Sequence, residues 1–253
     1  GIVDAGFTEA VNSEAMIANV PTEYRDPEGH WYGVTTRARI VYASKDRVAE
    51  GEVTTYEDLA DPKWKGRICT RSGTHAYNIA LTSAIIHHNG EDGAKAWLEG
   101  VKSNLARKPQ GNDRAQVKAI WAGECDISLG NTYYMGAMLA DPEQKVWADS
   151  VRLDFPVFDV EGGGTHVNIS GVALTKASKN IAEATQFIEF LTSKDAQEIY
   201  AEANSEYPVV PGTEPSALVA SWGELTPDNL GLIDIANARG EALKLTEEVD
   251  YDG

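Results

Sequence analysis

The strongest constraint on this chain is an alternation: short runs of strand character are followed, after polar turns, by segments with helical spacing. Thr35 to Ser44 (TTRARIVYAS) has period two, with Thr36, Ala38, Ile40 and Tyr42 on one face and Arg37, Arg39 and Val41 on the other. Ala94, Trp97, Leu98 and Val101 recur at the spacing of one helix face after Gly93. Val117, Ile120 and Trp121 mark a second helix, opened by Asn112 or Asp113 and closed by Gly123, and a strand from Cys125 to Leu129 follows at once. His166 to Thr175 reads as a further strand, Ile181, Ala184, Phe187, Ile188 and Leu191 as a helix stripe, and about Asp195 to Asn204 as another helix. Such alternation specifies an α/β protein with at least partly parallel sheets.

The chain is long enough for one large domain or two lobes, at 253 residues of which 42% are hydrophobic. The polar stretch 45–55 and the Phe155–Gly164 segment separate runs of strand-helix pattern, so the middle reads as a lobe inserted between flanking parts. A cleft between lobes is a common place for a ligand. Charge narrows the ligand class: 22 Lys+Arg against 39 Asp+Glu give −17, which argues against a nucleic-acid groove. No apolar run approaches the roughly 20 residues needed to cross a bilayer, so membrane insertion is not expected.

The most unusual local feature is Gly130-Asn131-Thr132-Tyr133-Tyr134-Met135-Gly136, directly after a buried strand. The tandem tyrosines fall where a strand ends and a helix begins, the edge at which open α/β sheets place their ligand contacts. Tyr77, in Gly73-Thr74-His75-Ala76-Tyr77-Asn78, has the same placement after the strand Arg67 to Thr70. Two such junctions therefore offer phenols, which a hard, highly charged cation can bind as phenolates. Packing with a surface hydroxyl is the plainer role for each tyrosine alone. Arg37 adds a planar cation suited to a carboxylate, carbonate or phosphate, although a salt bridge to one of 39 acids would also satisfy it.

Enzyme signatures are lacking. There is no G-x-S-x-G, H-E-x-x-H or P-loop, and no two histidines have zinc-ligand spacing. His87 and His88 are adjacent on a helix and point apart, which suits a solvated or capping role. Cys69 and Cys125 each lie in a short apolar run; neighbouring strands would bring them within disulfide range, and separate strands would leave two inert thiols.

Several runs together resemble the ferric-ion-binding periplasmic proteins of iron(III) ABC importers. They are Thr35-Thr36-Arg37-Ala38-Arg39, Trp64 to Cys69, Pro109 to Arg114, Gly130 to Tyr134, Gly164 to Gly171 and Tyr207-Pro208-Val209, in that order along the chain. The resemblance implies a two-lobed class II periplasmic-binding fold, with mixed, mostly parallel sheets flanked by helices and the ligand in the inter-lobe cleft. It implies lobe one from residues 1–44 and 155–208, and lobe two from 45–154 and 209–253.

By motif, Tyr77, Tyr133 and Tyr134 would be the Fe(III) ligands and Arg37 a residue behind them or one that holds an anion. Carbonate or citrate would be the candidate synergistic anion. The implied partner is an inner-membrane ABC permease, the implied protein a periplasmic monomer without catalytic turnover. An oxidising compartment would favour a Cys69–Cys125 disulfide. Gly1 to Gly6 matches a point well inside lobe one of the family, so roughly 60 to 80 residues, about two strand-helix units, would precede it in family members and supply a further ligand. An incomplete, more open iron site is the expectation. A receptor for an oxyanion or organic acid, and a small-molecule enzyme, are the competing readings.

Overall fold

Seven of the 13 residues from Tyr32 to Ser44 are valine, isoleucine, tyrosine or threonine, and the segment forms the longest strand of the protein. The computed structural model describes residues 1–253. In chain order the elements are β1 (Thr8–Glu9), α1 (Glu14–Asn19), β2 (Tyr32–Ser44), β3 (Ile68–Cys69), α2 (Ala76–Ser103), α3 (Asp113–Trp121), β4 (Ile127–Asn131), α4 (Tyr133–Ala140) and α5 (Lys145–Asp149). They continue with β5 (Val151–Asp154), β6 (Val167–Val172), β7 (Leu174–Thr175), α6 (Ile181–Leu191), α7 (Lys194–Asn204), β8 (Tyr207–Pro208), α8 (Ala217–Ala220), α9 (Leu232–Asn237) and α10 (Arg239–Glu248). No helix is long and apolar enough to cross a membrane.

The chain divides into two compact units, one of Gly1–Arg37 with Asn168–Gly223 and one of Ala38–Val167 with Glu224–Gly253. These limits differ from the expected 44/45, 154/155 and 208/209. The first crossing falls inside β2 because that strand runs on unbroken through residue 44. Residues 155–167 stay with the second unit, where Phe158 packs on Tyr56 at 4.7 Å between ring centres and Thr165 bridges to Pro227. Residues 209–223 stay with the first, since Val209 and Val210 are buried in its core and Val209 N–H donates to Gln197 at 2.8 Å.

In the first unit β1 pairs antiparallel with β7, and β8 pairs antiparallel with β2 at Thr35↔Pro208 and Thr36↔Tyr207. Val11, Met16, Val20, Tyr32, Leu174 and Ile188 fill its core. The expected strand His166 to Thr175 is divided here into β6 and β7. The helix stripe expected at 181–191 forms as α6, yet only Ile188 of it is buried, and Ile181 and Phe187 are exposed.

In the second unit the strand order is β3-β4-β2-β5. β3 and β4 run parallel, with Ile68↔Ile127 and Cys69↔Ser128, whereas β2 meets β4 and β5 antiparallel. The sheet is mixed because β2, arriving from the other unit, is inserted between strands without a crossover helix of its own. Val41, Trp64, Leu81, Ile85, Trp97, Leu98 and Ile127 form its core, which α10 closes with Leu245. The helix expected after Gly93 is the second half of α2, which kinks at Gly90 with φ +74°. Asn112 is the cap of α3, accepting from Ala115 N–H at 3.0 Å. Cys69 and Cys125 are joined in a disulfide.

His88 is neither solvated nor a cap. It pairs with Asp228 at 3.0 Å and lies on the Phe158 ring, and so ties α2 to the segment before α9.

Candidate metal centre

Because β3 and β4 are parallel neighbours, their carboxyl ends open on one edge of the sheet. The chain leaving β3 turns through 70–75 into α2, and the chain leaving β4 enters α4 within two residues. Tyr77 therefore lies in the first turn of α2 and Tyr133 at the first position of α4. Their hydroxyls are 3.1 Å apart. The Tyr134 ring lies tilted against that of Tyr133, with 4.3 Å between ring centres. All three tyrosines are half-buried.

Local sequence fixes these positions. His75 caps α2, its Nδ1 accepting from Tyr77 N–H at 3.2 Å, and its ring meets the Tyr77 ring edge-on. Thr132 is tied to β2 through its N–H and the Ala38 carbonyl at 3.1 Å. The Asn131 carbonyl accepts from the Tyr42 hydroxyl at 2.7 Å. Gly130 is required by contact: a Cβ there would come within 2.3 Å of the Tyr42 ring.

Behind the phenols lies a buried polar cluster that sequence reasoning did not single out. Asp113 is fully buried and accepts from Arg39 Nη1 at 2.7 Å, from Arg71 Nη1 at 3.0 Å and from Asn131 N–H at 3.0 Å. Arg39 also donates to Asn78 Oδ1 at 2.7 Å and Asn131 Oδ1 at 3.1 Å. Both guanidinium groups sit over the Tyr77 ring, Arg39 at 5.7 Å and Arg71 at 5.1 Å from its centre. Asn131 Nδ2 reaches the Tyr133 hydroxyl at 3.4 Å. Asp113 falls beside the Asn112 cap, and Asn131 directly precedes Thr132 and the tyrosines; those adjacencies were the available signal.

Burial pushes the Tyr133 phenol up, and its hydrogen bonds with the Tyr134 and Tyr77 hydroxyls act in the same direction. Burial also raises the Tyr134 phenol, opposed by the Tyr133 hydroxyl. A metal binding here must therefore displace protons. No group of three or more histidine, cysteine, aspartate or glutamate side chains is placed to hold a metal ion. Arg37, the other expected site residue, belongs to the first unit. Its Nη1 donates to Ser170 Oγ at 3.0 Å, and Ser170 donates in turn to Glu206, which also accepts from Thr35 at 2.7 Å.

Two units linked by chain crossings, with phenols gathered at the strand ends of one of them, define a two-lobed periplasmic-binding-protein fold built for a solute. The chain belongs to the bacterial extracellular solute-binding protein family, which it matches over residues 1–223. It is 45% identical to iron uptake protein A1 of a Synechocystis strain, over 97% of this chain and 68% of that protein. The ferric iron-binding protein A of Mannheimia haemolytica, solved in an open conformation, superposes with a TM-score of 0.95 and 49% identity, covering 100% of this chain and 79% of that one. A Trichodesmium protein solved with iron and citrate ligands superposes with a TM-score of 0.92 and 37% identity, covering 98% and 79%.

Proposed function

We propose that the chain is a ferric-iron receptor of an uptake system, holding Fe(III) through Tyr77, Tyr133 and Tyr134 as phenolates. The observation that carries this reading is the 3.1 Å approach of the Tyr77 and Tyr133 hydroxyls, with the Tyr134 ring packed against that of Tyr133. Ferric ion is small and hard, so anionic oxygen donors suit it, and three phenolates neutralise its three charges. Relatives named for iron uptake and ferric iron binding support the same cargo. Such a protein performs no turnover: it binds in the periplasm and hands its cargo to an inner-membrane ABC permease. Arg37 is the candidate to hold a synergistic anion, carbonate or citrate, in exchange for its bond to Ser170. The Trichodesmium structure with citrate supports an anion of that kind.

Adding Fe(III) to the metal-free protein is expected to produce a visible phenolate-to-iron charge-transfer band. Tyr133→Phe and Tyr134→Phe should each weaken the band and the affinity, and the double variant should abolish both. Tyr77→Phe should weaken binding as well. A protein that stays colourless at saturating Fe(III), or an unchanged band in the double variant, would overturn this reading. The oxyanion-receptor alternative predicts tight binding of the anion alone, without iron, and that the tyrosine variants leave it unaltered.

A further inference from the structure

Asp113 already has what a buried carboxylate needs from Arg39 and the Asn131 N–H. Arg71 brings a second guanidinium to the same carboxylate, so the cluster of Arg39, Arg71 and Asp113 carries a net charge of +1 in a place almost closed to water. Neutralising Asp113 does not require that second cation. Both guanidiniums also lie over the face of one tyrosine ring, the one assigned here as an iron ligand. In a chain with 39 acidic residues, the excess positive charge at this one spot calls for its own explanation.

We propose that Arg39, Asp113 and Arg71 form a fixed positive charge behind Tyr77 that sets how strongly its phenolate donates to bound iron, with Arg71 as the tuning residue and Arg39 as its anchor. The proposal rests on the assignment of the three tyrosines to Fe(III). A guanidinium over the ring stabilises the electrons that the phenolate shares with the metal. It therefore raises the energy needed to move an electron from phenolate to iron. The same charge favours uptake of one electron by the iron, Fe(III) becoming Fe(II). Arg71 is the residue to vary, because it is 11% exposed and its removal leaves Asp113 paired with Arg39 at 2.7 Å. It acts through Tyr77 and is a positioning residue, not a ligand.

The test is to load the wild type, Arg71→Gln, Arg71→Lys and Asp113→Asn with Fe(III), record the charge-transfer band and measure the midpoint potential with mediators at an electrode. Arg71→Gln, which removes the excess charge, should shift the band to longer wavelength and lower the potential. Arg71→Lys, which keeps the charge, should stay near the wild type. Asp113→Asn, which raises the excess to two, should move both readouts the opposite way. If Asp113→Asn does not fold, the two Arg71 variants decide alone. A coloured wild type whose band and potential are unmoved in Arg71→Gln would overturn the proposal while leaving the iron assignment intact. Equal shifts in Arg71→Gln and Arg71→Lys would also overturn it, since they would show that shape and not charge matters. A colourless wild type would overturn the iron assignment and this inference with it.

Discussion

Gly130 and Tyr42 show how a single residue without a side chain sets the geometry of the candidate centre. The Tyr42 ring lies against the Gly130 backbone and its hydroxyl holds the Asn131 carbonyl, so the end of β4 is pinned just before Tyr133. Tyr42 is fully buried and cannot move aside into solvent. Gly130→Ala is therefore expected to destabilise the protein by about 1–3 kcal/mol, the cost of overpacking a filled interior. It should also weaken Fe(III) binding, because the displaced strand end carries Asn131 and Tyr133 with it. Denaturant midpoints and an iron titration on the same sample check both. Unchanged stability with normal binding would show that the ring can shift freely.

At the scale of elements, the parallel pair β3 and β4 does two things at once. Its register sets Cys69 beside Ser128, three residues beyond Cys125, and the cysteine Cα atoms are 5.8 Å apart. The same register brings the two tyrosine-bearing junctions to one edge. The disulfide closes a separation of 56 residues, and a loop of that length contributes about 4 kcal/mol in the chain-entropy account. The Cys69→Ala/Cys125→Ala protein should lose about that much stability in a denaturant titration, with a larger m because the unlinked unfolded chain exposes more surface. A loss below about 1 kcal/mol would place the stabilisation elsewhere.

These elements also mark how far the sequence was readable. The junctions were legible because turn residues and helical spacing follow the strands Arg67 to Thr70 and Cys125 to Leu129 directly. The Asn112 cap was legible for the same local reason. The Arg39–Asp113–Arg71 cluster was not, since its members are far apart in the chain and the pairing of β4 with β2 on one side and β3 on the other brings them together. Period-two alternation put Arg37 and Arg39 on one face, but it could not show that the chain passes from one unit to the other between Arg37 and Ala38. The helical spacing of 181–191 was equally plain, yet periodicity alone does not say what, if anything, covers Phe187.

Over the whole molecule, the net charge of −17 and the buried phenols act together as the pH rises. Tyr42, Tyr56 and Tyr251 are almost wholly buried, and burial holds each phenol above its ordinary value of 10.0. In the unfolded chain these groups ionise near that ordinary value. Above it the folded protein binds more protons than the unfolded one, so the stabilisation is complete below about pH 10 and is lost as the pH climbs. Each such group should remove about 1.4 kcal/mol of stability per pH unit above that point. In a chain that already carries −17, each proton lost adds to the negative charge, so self-repulsion adds to the loss. Chemical denaturation of the metal-free protein from pH 8 to 11 should show a plateau followed by a steep fall. Tyr42→Phe and Tyr251→Phe should each flatten that fall by about one group's share, whatever they cost at pH 8. A stability that stays level through pH 11 would mean that these phenols ionise in the folded state as readily as in the unfolded one.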